Sequence, residues 1–476
     1  EYPQGEVVMD EKKQMKKYLF DNHLAFGTPP SKGGELVSDA FSKKKHSNMK
    51  YYSTNKISPA VSYEDAVVRG LAPDKGLYFP ERIDALPSGL IGNGKPLHEI
   101  AYEVAKRFVD GEIPNAKLQE IVEETLNFPL PIVEVENDVY SLELWHGPTC
   151  AFKDVGARYL SRNLSYFVRN ENKEVTILVA TSGDTGSAVA SGFLGVEGIK
   201  VVILYPKGKV SEIQEKQLTT MGQNIRALEV NGTFDDCQAM VKLAFNDAEL
   251  RSKMNLSSAN SINVARFLPQ SFYYFWAYEQ LQDKKKPLAF SIPSGNFGNL
   301  TAGMFAKRMG LPVNKFVAST NANDVVPEFL QTGVYRPRPS VSTISNAMDI
   351  GDPSNFARIQ ELYNNNLDAI RNDMVGYAFS DEDSRVNMKS LYQDHKYLAD
   401  PHGAIGYAGL KKWMNENGGQ GIFLETAHPA KFLDVVEPAI GAKVEIPQRL
   451  QDYLKREKKA ILIGNTFEEL KGVLLG

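Results

Sequence analysis

The sequence predicts an α/β protein of more than one domain, on three observations. Through the centre of the chain short apolar runs alternate at close intervals with helix-forming segments, which means parallel strands joined by right-handed crossovers. Two Gly-rich stretches fall where such a run gives way to a helix. The length of 476 residues exceeds the ~250–300 at which single cores stop growing. Composition agrees, since 42% hydrophobic and 24% charged residues sit near globular averages and exclude disordered or fibrous chains. With 54 Lys+Arg against 58 Asp+Glu the formal net charge is −4, so no global basic field exists to bind nucleic acid. Cys150 and Cys237 form neither a disulfide framework nor a metal-ligand pattern, which fits a reducing compartment. The longest apolar runs, such as 175–180 and 201–204, are far too short to cross a bilayer, and the first residues lack the apolar stretch of a signal peptide. The expectation is a soluble, cytoplasmic protein with no nucleic-acid or membrane partner and no metal.

Taken in order, residues 1–48 carry Lys12-Lys13, Lys16-Lys17 and Lys43-Lys44-Lys45 with little periodicity. They read as a leader or added extension before an original start at Met49, and stay unassigned. Residues 49–140 read as a mixed N-terminal domain. Helical spacing runs from Leu97 to Val109, with Ile100, Val104 and Phe108 on one stripe, and again over 118–126, before Pro129 and Pro131. Residues 175–180 form a buried-strand run, followed by the Gly-rich 181–186 and small helix formers. Strand signals return at 200–204 and 225–230, separated by a polar helical stretch, 208–221. A helix is expected from about 234 to 247, with Met240, Leu243 and Ala244 as its face. Residues 290–293 lead into the second Gly-rich turn, then helix-forming 302–308 and a strand at 316–319. The Pro-, Asn- and Asp-rich 321–389 reads as an insertion of loops and helices. Alternation resumes with 403–414, 421–425 and a helix after Pro429.

Four segments are too polar and too local to be packing alone. Ser294-Gly295-Asn296-Phe297-Gly298-Asn299, between strand and helix, is an anion cradle: glycines let successive N–H groups face one point, and the helix N-terminus adds its dipole. It is neither a Walker loop nor the dinucleotide fingerprint, and an ordinary βα turn is the plainer alternative. Thr181-Ser182-Gly183-Asp184-Thr185-Gly186-Ser187 sets hydroxyls, a carboxylate and backbone donors together; one helix cap needs one such residue, so an anion-binding role is favoured. Trp145-His146-Gly147-Pro148-Thr149-Cys150-Ala151-Phe152-Lys153-Asp154 places a lysine among apolar neighbours, where desolvation frees its lone pair as a Schiff base requires. A lysine lying along a helix start is the competing account. His146 reads as a packed or hydrogen-bonded neighbour, with no second histidine at ligand spacing. Ser258-Ala259-Asn260-Ser261-Ile262-Asn263-Val264-Ala265-Arg266 runs up to a guanidinium whose planar fork suits a phosphate. Two phosphate-type cradles and a hidden lysine point to a pyridoxal-phosphate enzyme acting on an anionic amino acid.

At these residues the chain resembles the threonine synthase family, in the longer form of many bacteria and fungi. The marks are Gly76-Leu77-Tyr78-Phe79-Pro80, His146 to Asp154, 181–186, 294–299, Asp400-Pro401-His402-Gly403 and Glu425-Thr426-Ala427-His428-Pro429, and the resemblance covers nearly everything from Met49 onward. The resemblance implies the tryptophan-synthase-β-like pyridoxal-phosphate fold: two parallel-sheet α/β lobes with an additional N-terminal domain. The catalytic region would then be 141–476, its smaller lobe about 155–265 and its larger lobe the remainder. In that pattern Lys153 resembles the Schiff-base lysine, and Gly295, Asn296, Phe297, Gly298 and Asn299 the cofactor-phosphate loop. Thr426 resembles the hydroxyl facing the pyridine nitrogen, which would leave the ring less protonated than a carboxylate would. Thr181, Ser182 and Thr185 resemble the loop that holds the substrate carboxylate. Asp184 stands where related enzymes carry Asn, in reach of the cofactor O3′. Asn260, Ser261 and Arg266 resemble the substrate-phosphate pocket.

The implied reaction turns O-phospho-L-homoserine and water into L-threonine and phosphate by γ-elimination and β-addition of water. Lys153 would move the Cα proton and Arg266 would hold charge growing on the leaving phosphate. The chain would act as a monomer or homodimer. A phospho-lyase of the threonine-synthase-like group, releasing 2-oxobutyrate, ammonia and phosphate, shares every one of these marks and stays open. Threonine dehydratase would leave Arg266 without a purpose. Lys153 argues against a binding protein that has lost catalysis, and a nucleotide-dependent enzyme would need a Walker lysine and an Asp-rich magnesium motif.

Overall fold

The computed structural model describes residues 48–171, 174–181 and 183–476. The segment 1–47, read above as most of a leader, lies outside the described residues. Near the start, strands β1 (Tyr51–Ser53) and β2 (Tyr78–Pro80) pair antiparallel. Helices Leu97–Val109 and Asn115–Thr125 follow, the first burying Ile100, Val104 and Phe108 as its spacing predicts. It stops where Asp110 turns left-handed at φ 45°, and the Asp110 carboxylate accepts the Met49 N–H at 2.7 Å.

Two sheets carry the rest. Strands β3 (Ile132–Glu136), β4 (Val139–Glu143), β9 (Leu288–Pro293), β10 (Lys315–Thr320), β11 (Met374–Ala378) and β12 (Gln420–Glu425) form a six-stranded sheet in the order β11-β10-β9-β12-β4-β3. All its pairs are parallel except β3 against β4. Strands β5 (Val175–Ala180), β6 (Ile199–Pro206), β7 (Ile225–Val230), β8 (Asn255–Ser258) and β13 (Ile461–Ile463) form a five-stranded, wholly parallel sheet in the order β13-β7-β6-β5-β8. Every residue of β5 and of β12 is buried, which is why the middle of each reads as an apolar run: a parallel sheet is covered on both faces.

Two expectations are corrected. Helix Phe234–Asn246 buries Cys237, Met240, Val241 and Ala244, while Leu243 is 51% exposed. Cys237 and Val241 complete the 3.6-residue stripe and turn Leu243 away from it. Within 321–389, helices do occur, but Met374–Ala378 is a strand of the larger sheet, in register with β10. As an edge strand it is half-buried in alternation, so it lacks the apolar run of a central strand. Among the described residues no helix is long and apolar enough to cross a membrane. The carboxyl ends of β5, β8, β9 and β12 run directly into the polar segments singled out above, where α/β sheets place their ligands.

Candidate active site

The lysine segment is laid against the end of β12. Ala151 and Ala427 form an antiparallel bridge, the Phe152 N–H donates to Thr426 O at 2.8 Å, and the His428 N–H donates to Cys150 O at 3.1 Å. Lys153 and Thr426 are therefore fixed side by side, Lys153 as the first residue of helix Lys153–Glu171. Beneath it Asp154 is buried and accepts the Thr149 N–H at 2.9 Å and the Thr149 hydroxyl at 2.7 Å. Lys153 opens only to a cleft and is otherwise packed round by protein. Desolvation, with the Lys431 and Arg266 charges, lowers its pKa from 10.5 to about 8, against the opposing pull of Asp184 and Asp400.

The same cleft is lined by Thr181, Asp184, Thr185, Asn260, Ser261, Arg266, Gly295, Asn296, Phe297, Gly298, Asn299 and Thr426. Every residue singled out as a site residue thus meets there, save Ser182, which lies outside the described residues. Phe152 and His402, quoted in motifs but given no role by sequence reasoning, line it too, with Ala347, Met348 and Ile350, which that reasoning did not name.

The Gly-rich turn has the features of a phosphate cradle. A Cβ on Gly295 would lie 2.8 Å from Met348 Cα and 3.0 Å from Ala347 O, so only glycine lets the covering turn close over the loop. Phe297, at φ 60°, starts helix Gly298–Arg308, whose first N–H groups have no intrahelical acceptor. The Asn299 side-chain amide is buried with its Nδ2 unpartnered, while its Oδ1 accepts from the Tyr274 hydroxyl. Donors without acceptors around one point are what a bound phosphate would complete.

Behind it, Asn355 ties this turn to the next. Its N–H donates to Asn296 O at 3.2 Å and its Nδ2 to the Ser261 hydroxyl at 3.0 Å. Arg358, fully buried, donates to Ser261 O at 3.1 Å, Ile262 O at 2.6 Å and Tyr78 O. Arg266 is 3% exposed, and its Nη1 is buried with no hydrogen-bond partner. Desolvation lowers its pKa from 12.5 to about 10, against Tyr273 and Asp154. Among the described residues Arg266 makes no salt bridge, and it lies buried rather than on the surface. A buried guanidinium facing a cleft without an acid of its own is a site for an anion.

The 181–187 segment divides its labour. The Thr181 hydroxyl accepts the N–H groups of Gly183 at 3.0 Å and Gly186 at 2.9 Å, so it shapes its own turn, as a cap would. Asp184 instead is buried at the cleft wall and pairs with Lys431, Nζ to Oδ1 2.6 Å. Burial pulls its pKa up, but Lys431, Lys153 and a bond from Gln214 outweigh that and hold it well below the usual range. Lys431 escaped sequence reasoning; its one local signal is a lysine inside the apolar Pro429-Ala430-Lys431-Phe432-Leu433. His402 and Asp400 were seen as a motif without a role. His402 Nδ1 lies 2.7 Å from Asp400 Oδ1, which leaves Nε2 to accept the Ala347 N–H at 3.3 Å and hold the covering turn. Asp400 also accepts the Ala427 N–H at 3.1 Å, steadying Thr426. His146 stacks on Trp145 and bonds Glu143 at 2.7 Å, and no group of His, Cys, Asp and Glu among the described residues could hold a metal ion.

The comparisons with known proteins follow this geometry. Residues 124–421 match the pyridoxal-phosphate dependent enzyme family, 50–126 the threonine synthase N terminus and 403–474 the threonine synthase C-terminal region. The chain is 45% identical over 428 residues to a threonine synthase of Haemophilus influenzae, covering 90% of this chain and 100% of that one. It superposes on the crystal structure of threonine synthase from Escherichia coli with a TM-score of 0.85 at 41% identity, covering 90% and 99%. The pyridoxal-phosphate-bound threonine synthase of Brucella melitensis gives 0.84 at 35% identity, again covering 90% and 99%. A lysine of lowered pKa, a phosphate cradle and an unpaired arginine in one cleft agree with these likenesses: the chain belongs to the threonine synthase family of pyridoxal-phosphate-dependent lyases.

Proposed function

We propose that the substrate is O-phospho-L-homoserine, converted with water to L-threonine and phosphate, and that Lys153 is the catalytic residue. The observation that carries the substrate reading is Arg266: a buried, unpartnered guanidinium in the same cleft as the lysine calls for a second anion besides the cofactor's phosphate. The alternative outcome, 2-oxobutyrate with ammonia, uses the same groups, and no separate observation favours it.

In this reading Gly295, Asn296, Phe297, Gly298 and Asn299 hold the cofactor phosphate, Thr426 meets the pyridine nitrogen, and Asp184 lies toward O3′. Pyridoxal phosphate, once bound, withdraws electrons from the substrate amino acid so that protons at Cα and Cβ can be removed. With a pKa of about 8, roughly a tenth of Lys153 is a free amine at pH 7, enough to take up and return the Cα proton. Arg266, with Asn260 and Ser261, binds the substrate phosphate and holds the charge that grows there as the Cγ–O bond breaks. Thr181, Ser182 and Thr185 belong to the loop that binds the substrate carboxylate, where the Thr181 hydroxyl also shapes the turn. The covering turn at 347–350 closes over the Gly295 end of the loop. The division into an N-terminal domain from 49 and a catalytic region, with the 140/141 boundary of the sequence reading falling inside β4 of the larger sheet, action as a monomer or homodimer, and a cytoplasmic setting, which two buried free thiols support, belong to the same reading.

The test is to incubate the cofactor-loaded protein with O-phospho-L-homoserine and identify products by mass spectrometry. Threonine formed in step with phosphate is the expected result. Phosphate with 2-oxobutyrate would replace the synthase reading with the lyase, and absence of turnover with cofactor bound would overturn the substrate.

A further inference from the structure

Asp184 is a carboxylate where burial disfavours one. It begins helix Asp184–Phe193, is 5% exposed and lines the cleft beside Lys153. Its partner comes from the turn Pro429–Phe432 beyond β12. Lys431 Nζ stands 2.6 Å from Asp184 Oδ1, with none of its side chain exposed, and donates also to Thr149 O at 3.0 Å. Gln214 Nε2 donates to the same Asp184 oxygen at 3.0 Å. Lys431 itself is not among the residues lining the cleft, so it meets neither substrate nor cofactor. Around Lys153 the facing charges are Asp184 and Asp400, which favour its protonated form, and Lys431 and Arg266, which disfavour it.

We propose that Lys431 is a positioning residue for Lys153: by neutralising Asp184 it presents the amine with a neutral buried pair in place of a bare carboxylate. The inference rests on reading Lys153 as the catalytic amine. A buried carboxylate left alone next to a lysine takes that lysine as its counter-ion and holds the proton on it. With Lys431 in place, Asp184 has its cation already and Lys153 is free to lose its proton. The arrangement also accounts for a carboxylate at 184, since Asp184 with Lys431 carries the same net charge as an asparagine would alone.

The signs separate this role from simple structural support. Lys431→Met removes a cation and unpairs Asp184, so the proton affinity of the nitrogen of Lys153 should rise. Asp184→Asn removes the anion and should lower it. Asp184→Asn with Lys431→Met together should restore it. The readouts are the pH titration of the visible absorbance of the full-length holoenzyme and, on the same chain stripped of cofactor, acetic anhydride labelling of Lys153 across about pH 6 to 10. Lys431→Met is expected to raise the midpoint by about one unit, a ~tenfold loss of free amine at neutral pH. The double variant should return to within about half a unit of the parent. A midpoint unmoved by Lys431→Met, or moved in the same direction by both single variants, overturns the proposal. If Lys431→Met does not fold, the double variant must fold and titrate near the parent; a double variant as damaged as the single one overturns it equally. Neither readout uses substrate, so failure of the O-phospho-L-homoserine reading would leave these midpoints untouched.

Discussion

Replacing Arg266 by methionine should make the protein more stable and a far worse enzyme, and the two effects have one cause. The guanidinium is 3% exposed, its Nη1 is unpartnered, and its pKa falls from 12.5 to about 10. Folding thus opposes its charge. The cost is present in full below pH 10, where both folded and unfolded chains are protonated, and is relieved as pH rises from about 10 to 12.5. A difference of that size corresponds to ~3 kcal/mol. Methionine keeps most of the aliphatic stem and removes the charge, so a net gain of about 1–3 kcal/mol is expected after imperfect repacking. Turnover should move the other way: losing a group that holds charge on the departing phosphate costs on the order of 100- to 1,000-fold in kcat/KM. The assay is thermal unfolding of the cofactor-loaded protein with and without inorganic phosphate, beside steady-state kinetics. The parent should be stabilised by added phosphate, since a ligand bound only by the folded state adds RT ln(1 + [L]/Kd), while Arg266→Met should start higher and gain little. A variant that is less stable without phosphate yet gains as much from it as the parent would refute the argument.

Further outcomes follow from the groups behind the cleft. A Cβ on Gly403 would fall 1.5 Å from Glu425 Oε2 and 2.4 Å from Glu425 Cδ, and that carboxyl is pinned by the Asp400 N–H at 2.6 Å; Gly403→Ala should cost about 1–3 kcal/mol or more by denaturant unfolding, and a neutral result would mean that Glu425 does not occupy that space. His428 accepts the Ala430 N–H at its Nδ1, and burial, then Arg449, His146 and Lys431, lower its pKa from 6.5 to about 4. The unfolded chain therefore takes up this proton first, and stability falls as pH drops from 6.5 toward 4. The ring keeps some exposure, so about 1–2 kcal/mol rides on it, and His428→Gln, which keeps an acceptor, should flatten that part of the acid limb in melts taken across the range.

What could be read from the chain was what lies close together in it. Lys153 and the Gly-rich turns sit in contiguous runs whose composition breaks the local rules of packing, and each run folds as one junction at a strand end. The groups that set their charge do not: Lys431 reaches Asp184, and Arg358 reaches Ser261 and Tyr78, across the fold. Nothing in a run of neighbours announces such pairs. The motif Asp400-Pro401-His402-Gly403 was visible, but its work is to seat Glu425 and to hold the covering turn through His402, which only the three-dimensional contacts reveal. Thr181 adds that a hydroxyl picked out for a ligand also serves the turn that presents its neighbours. The same distinction governs charge. A formal net charge of −4 argues against a basic field over the whole surface, yet it says nothing of the cleft. There Asp184 has Lys431, whereas Arg266 and Arg358 have no carboxylate partner among the described residues: Arg266 Nη1 bonds nothing, and Arg358 bonds neutral oxygens only. The charge on Arg266 is buried, where screening is weakest, and Asp154 only partly offsets its desolvation. If the site holds two phosphates, as proposed, Arg266, which alone of the two lines the cleft, is the group the second one completes.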